Sequence, residues 1–209
     1  MSYPPTPWTL QGYAIQTLHL VNIERSRPLI PAELNILSIW PGKTLGAVYL
    51  SFYGSGSVLE YSELIVVPAV VSYRGKIGPW ISHIYVDNPD SVAGGREIWG
   101  LPKEMADFTW EQGKRVTVRQ GNRQLCTLNY NQQNLAWRQQ LAVSTFSAMG
   151  SNLVTFPAVC ESLLGLVTSE LEVPTESPFS GMNLSQPFLT VRCEQMKLRI
   201  GNTKAVRQR

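Results

Sequence analysis

Six lysines occur in this chain, and five sit among ordinary polar or turn-forming neighbours. Lys103 does not. It is reached through Ile98-Trp99-Gly100-Leu101-Pro102, so its amine follows a rigid proline beside apolar side chains. Such a lysine can attack a carbonyl group and form a Schiff base. The competing reading is a solvated turn residue after proline, because lysine is rarely fully buried. Schiff-base chemistry needs the neutral amine, and a lysine with a pKa of about 10.4 is only about 0.04% neutral at pH 7. Bringing that pKa near 6 to 7 requires roughly 5 kcal/mol of differential interaction. Burial alone can supply it. Ile98, Trp99, Leu101 and Met105 are the apolar side chains placed to do so.

Other chemistries are poorly provided for. His19 and His83 are the only histidines, and Cys126, Cys160 and Cys193 form no Cys-x-x-Cys pair, which argues against zinc. No Gly-x-Ser-x-Gly elbow suggests a serine nucleophile. Gly54-Ser55-Gly56-Ser57 lacks a third glycine and a following helix pattern, so it reads as a loop and not a phosphate cradle. An odd number of scattered cysteines points to buried thiols in a reducing, cytoplasmic setting. The first residues lack the basic and apolar regions of a signal peptide, and the longest apolar run, Leu64–Val71, cannot span a membrane.

The elements that must position Lys103 read as strands. Of 209 residues, 16% are charged, below the roughly 25% usual in soluble proteins, while 16 glycines and 14 prolines punctuate short apolar runs. Disorder and long helical bundles are thereby disfavoured. Expected strands are Tyr13–Val21, Leu45–Tyr53, Leu64–Tyr73, Trp80–Val86, Arg115–Gln120, Leu125–Tyr130, Leu163–Val173 and Phe188–Ile200. Pro68 should mark an irregular position in an otherwise central strand. Gly121-Asn122 should turn a hairpin. Helix is expected only within Pro28–Leu37 and Leu135–Met149. A net charge of +3, with basic residues gathered only from Arg192 to Arg209, argues against a nucleic-acid partner.

The surroundings of Lys103 carry a resemblance. Gly95-Arg96-Glu97 followed by Pro102-Lys103 resembles the signature of the acetoacetate decarboxylase family, in which the lysine forms the Schiff base. Upstream, Tyr85-Val86-Asp87-Asn88 resembles the family's Tyr-Leu-Asp-Asn stretch. Tyr61-Ser62-Glu63, with Pro68 and Gly75, resembles its Tyr-Thr-Glu segment, whose glutamate faces the lysine. The likeness covers roughly 31–105. It implies a mainly β fold with minor α, an antiparallel, closed or cone-like β-barrel around an apolar cavity. It further implies one such domain over 1–209, with 1–10 a Pro-rich arm and 201–209 a basic tail.

The resemblance also implies a lyase with Lys103 and Glu63 as catalytic residues and Trp99, Leu101 and Met105 against the substrate. Arg96 and Glu97 would be a buried scaffold ion pair. No metal or organic cofactor is implied; the partners would be a small keto acid or other carbonyl compound and further copies of the chain, with no nucleic acid and no membrane. Two departures bear on the substrate. Glu104 stands where the family typically has a second lysine, and a carboxylate held close would favour the ammonium; in an extended segment it would point away. No arginine lies between Gly12 and Val21, where the family's decarboxylases carry one for the substrate acid. The retained Glu63 and Lys103 keep a decarboxylase of a β-keto acid as the first expectation, while the two departures favour the alternatives. A Schiff-base aldolase-dehydratase, or a non-catalytic protein holding a carbonyl or apolar ligand, is the alternative.

Overall fold

The computed structural model describes residues 3–111, 113–132, 135–184 and 186–206. In chain order come β1 (Trp8–Asn22), α1 (Ile23–Ser26), β2 (Asn35–Ile36), β3 (Lys43–Tyr53), β4 (Tyr61–Val67), β5 (Ala69–Tyr73), β6 (Lys76–Trp80) and β7 (His83–Val86). The helix α2 (Pro89–Trp99) follows, then β8 (Lys103–Met105), β9 (Asp107–Glu111), β10 (Arg115–Gln120) and β11 (Arg123–Tyr130). The chain continues through β12 (Trp137–Met149), β13 (Asn152–Leu166), β14 (Ser169–Glu172), β15 (Leu189–Ile200) and β16 (Lys204–Ala205). No helix among the described residues is long and apolar enough to cross a membrane.

Two sheets result. The larger runs β2-β5-β6-β12-β13-β15-β1-β3-β4-β7-β8, with β16 added to β13, and the smaller runs β14-β11-β10-β9. The mainly β expectation holds, but the closed barrel does not appear: among the described residues no pairing joins the end strands β2 and β8. Nor is the large sheet wholly antiparallel, since β7 and β8 run parallel, as do β6 and β12 at their single contact. Parallel neighbours need a crossover connection, and α2 is that connection between β7 and β8.

Strand alternation divides the large sheet into two faces. On one, Ile15, Val21, Val48, Leu50, Leu64 and Val66 pack against Val116, Val118, Leu125 and Leu128 of the small sheet. Each such side chain contributes roughly 1.5–3 kcal/mol of burial. On the other face, the intervening residues of β1, β3 and β4 line a cavity.

Expected and observed elements differ in instructive places. Pro68 splits the expected Leu64–Tyr73 strand into β4 and β5, and its carbonyl accepts from the Ser26 hydroxyl at 2.8 Å. The Gly121-Asn122 hairpin is present, with Gln120 opposite Arg123. The helix allowed within Leu135–Met149 is the strand β12, and Pro28–Leu37 holds only the end of a 3-10 turn and β2. Conversely, α2 lies outside the segments where helix is expected, and Gly94 and Gly95 lower its helix propensity. Its caps supply the compensation: the Asn88 side chain accepts from the amides of Asp90 and Ser91, Pro89 opens the first turn, and Gly100 closes it at φ 64°. The expected arm 1–10 gives way to strand at Trp8. Part of the expected basic tail is also ordered, with Lys204–Ala205 paired to β13; 207–209 lie outside the described residues.

Candidate active site

Lys103 opens β8, beside Ile84 of β7, and its side chain is buried, at 3% exposure. The amine lies 2.8 Å from Oε1 of Glu63 and donates to the Ser91 hydroxyl at 2.9 Å. Glu63 comes from β4, one strand beyond β7, and is equally buried. Its second oxygen accepts from the Tyr53 hydroxyl at 3.2 Å, and Tyr49 and Tyr53 hydroxyls lie 3.2 Å apart. Aromatic faces complete the surround: the Tyr61 ring centre is 4.9 Å and that of Trp8 5.9 Å from the amine. Burial raises the Tyr49, Tyr53 and Tyr61 phenols well above their ordinary range, assisted by nearby Glu63, so all three stay protonated.

The helix α2 exists at this site to bring small residues over the lysine. Ser91, Gly95 and Trp99 recur every fourth residue and form its buried stripe. Any Cβ at Gly95 would stand 2.4 Å from Cδ and 2.7 Å from Cε of Lys103, so only glycine leaves the side chain its path. Trp99 packs edge-on against Trp8, centroids 4.8 Å apart, and its indole donates to the Gly201 carbonyl at 2.8 Å.

Around the pair, residues of β1, β3 to β8, β12, β13 and β15 line a cavity of about 400 Å³. Lys103, Glu63, Trp99 and Leu101 all line it. Met105 does not. It is 46% exposed at the far end of a three-residue edge strand that has a neighbour on one side only. The buried Arg96–Glu97 ion pair is also absent, because both residues lie on the outer face of α2. Arg96 instead donates through Nε to the Lys103 carbonyl at 2.8 Å, and Glu97 accepts from the Tyr3 hydroxyl at 2.6 Å. Glu104 points away from Lys103 and accepts from Gln120 at 2.7 Å, as an extended segment requires.

Sequence reasoning missed Ser91, Tyr49, Tyr53 and Trp8. The two tyrosines carried a signal, since their four-residue spacing on one strand puts them on the face of β3 that lines the cavity. Ser91 had none until α2 was in place. The early strand supplies Gln16 and Leu18 to the cavity and no arginine. Arg27 is spent on the carbonyls of Ile30, Pro31 and Leu34, and Arg25 on that of Gly181. Cys160 and Cys193 line the wall as free thiols, and burial pushes Cys160 up to about 11.

Known proteins share both the sequence and the shape. Protein NEOXANTHIN-DEFICIENT 1 of Solanum lycopersicum is 30% identical over 118 residues, 56% of this chain and 38% of that protein. Acetoacetate decarboxylase 3 of Mesorhizobium japonicum is 30% identical over 109 residues, 51% of this chain and 40% of that protein. The matched stretch thus spans about two fifths of either relative's length. The crystal structure of acetoacetate decarboxylase from Legionella pneumophila superposes with a TM-score of 0.78, covering 99% of this chain and 90% of that one at 14% identity, a likeness of fold. Residues 1–163 match the acetoacetate decarboxylase (ADC) family, and the chain belongs to that family.

Proposed function

We propose that the protein is a Schiff-base-forming enzyme in which Lys103 condenses with a carbonyl compound held in the cavity. The observation that supports this most is the Lys103–Glu63 pair at 2.8 Å, buried in the wall of an otherwise apolar chamber. Moving the proton from the ammonium to Glu63 leaves both partners neutral. That exchange removes two charges from a low-dielectric site without adding any, so a neutral amine is reached without transfer to bulk water. The amine adds to the carbonyl carbon, and loss of water gives the iminium. A β-keto acid so held releases carbon dioxide, its bonding electrons passing into the iminium; the enamine is then protonated by Glu63 and hydrolysed. Tyr53 and Ser91 hold the two partners in line throughout.

Membership of the family supports decarboxylation as the first reading. The same iminium serves condensation or dehydration of other carbonyl compounds, and the absence of arginine from the described cavity wall favours that second reading. A homo-oligomer belongs to this proposal too, supported by the exposed Trp40, Ile77 and Trp137; sedimentation well above the 23.3 kDa of one chain is the expected result.

The test is turnover. Carbon dioxide release from acetoacetate and longer β-keto acids, and exchange of α-protons of ketones in heavy water, are measured for the protein and for Lys103→Met. Either activity, lost in the variant, supports the proposal. Neither activity with any carbonyl compound overturns it.

A further inference from the structure

The cavity has a charge balance that restricts what can enter it. Among its described lining residues only Lys103 and Glu63 carry full charge, and they are already paired with each other. Three hydroxyls near the pair are also committed, and that of Tyr61, which has no hydrogen-bond partner, does not line the cavity: Ser91 accepts from Lys103, Tyr53 donates to Glu63, and Tyr49 lies against Tyr53. The N-terminus of α2, which would otherwise suit an anion, is closed by the Asn88 side chain on the amides of Asp90 and Ser91. Gln16 and Thr145 are the remaining polar side chains of the described wall outside the thiols, and both are neutral. Everything else is hydrocarbon, aromatic or small.

The opening has the same character. Leu141 and Val143 of β12 line the cavity yet are 52% and 44% exposed, so apolar wall continues into solvent. A volume of about 400 Å³ lies within the range of chambers that enclose a whole small ligand. A short keto acid would leave most of that apolar surface without a partner.

We propose that the compound this cavity selects is neutral: a ketone or aldehyde whose carbonyl meets Lys103 and whose remaining body is an extended apolar chain or ring, in preference to a short keto acid. The proposal rests on Lys103 being the reacting amine and narrows its substrate. With a neutral ketone the charges stay balanced at every step. The proton of Lys103 passes to Glu63, the amine lone pair forms the C–N bond, and the carbonyl π pair moves to oxygen. That oxygen takes the proton back from Glu63, then a second from nitrogen, and leaves as water. The iminium now holds the single positive charge and Glu63 the single negative one. Transfer of an α-proton to Glu63 gives a neutral enamine beside a neutral acid. A keto acid adds one carboxylate to the same site, and no second cation among the described lining residues meets it. Glu63 would then have to remain protonated, or the charge would stay buried and uncompensated.

Matched ligands separate the alternatives. 2-Decanone and 2-oxodecanoate share one alkyl chain and differ by a methyl in place of the carboxylate; acetone and pyruvate are their short counterparts. Each is titrated against the protein with borohydride present, and the half-saturating concentration for the reduced adduct on Lys103 is read by mass spectrometry. The expected order puts 2-decanone at least tenfold below 2-oxodecanoate and at least tenfold below acetone. Gln16→Arg, which adds a cation to the β1 wall, should narrow or reverse the first ratio. If 2-oxodecanoate saturates at the lower concentration, or the short pair matches the long pair, the substrate assignment is overturned while Lys103 remains the amine. If none of the four compounds gives an adduct, the reading of Lys103 falls and the substrate assignment with it.

Discussion

At the residue scale, the properties of Lys103 come from what its neighbours leave free. Glu63 neutralises it, Ser91 and Tyr53 fix the two partners, and Gly95 clears the path of its side chain. Glu63→Gln keeps the shape of the carboxylate but cannot take the proton, so turnover should fall about 10²–10⁴-fold with the fold intact, measured by initial rates and circular dichroism. Gly95→Ala places a methyl where Cδ of Lys103 now runs. The amine must then move away from Glu63, and activity should drop at least tenfold while a thermal melt stays cooperative. The glutamate and lysine were legible in the sequence because Tyr61-Ser62-Glu63 and Pro102-Lys103 stand at a recognisable interval. Met105 was misplaced because apolar character alone does not say on which side of a short edge strand a residue ends. Arg96 and Glu97 were misplaced because adjacent opposite charges on a helix do not face each other.

At the element scale, α2 and β8 form the unit that delivers the lysine. The β strands were legible because alternation along β1, β3 and β4 is dictated by two different apolar faces, one toward the small sheet and one toward the cavity. The helix was obscured by its own function: Gly94 and Gly95 lower helix propensity so that Trp8 and the Lys103 stem can approach. Asn88 compensates by capping the first turn. Asn88→Ala should therefore cost about 1 kcal/mol of stability, seen as a lower denaturation midpoint. It should also weaken turnover, since Ser91 occupies the turn that the cap holds. Asn88→Asp keeps an oxygen that can accept from the same amides, and its denaturation midpoint should stay near that of the unaltered protein.

At the scale of the whole molecule, the strand order produces a chamber that no single segment encodes. Residues lining it come from ten strands and α2, and the pairings of β13 with β15 and of β15 with β1 join segments far apart in the chain, which sequence periodicity does not reveal. The closed or cone-like barrel that the family likeness implies is not seen among the described residues, whose strand path ends at β2 and β8. Packing of the large sheet also fixes how stability responds to acid. Burial holds His19 on β1 down to about 4, against an ordinary 6.5. The native state therefore binds fewer protons than the unfolded chain between those values, and stability falls as pH drops from about 6.5 to 4. The loss attributable to this group is on the order of 3 kcal/mol, and His19→Gln should flatten that part of the pH–stability curve in urea titrations. Reductive trapping tests most directly whether Lys103 is the reacting amine. The protein is incubated with a panel of ketones, aldehydes and keto acids, reduced with borohydride, digested and mapped by mass spectrometry. One stable adduct on Lys103, absent from the other five lysines and abolished by Lys103→Met, is the predicted result; adducts spread across surface lysines with Lys103 unmodified would contradict it.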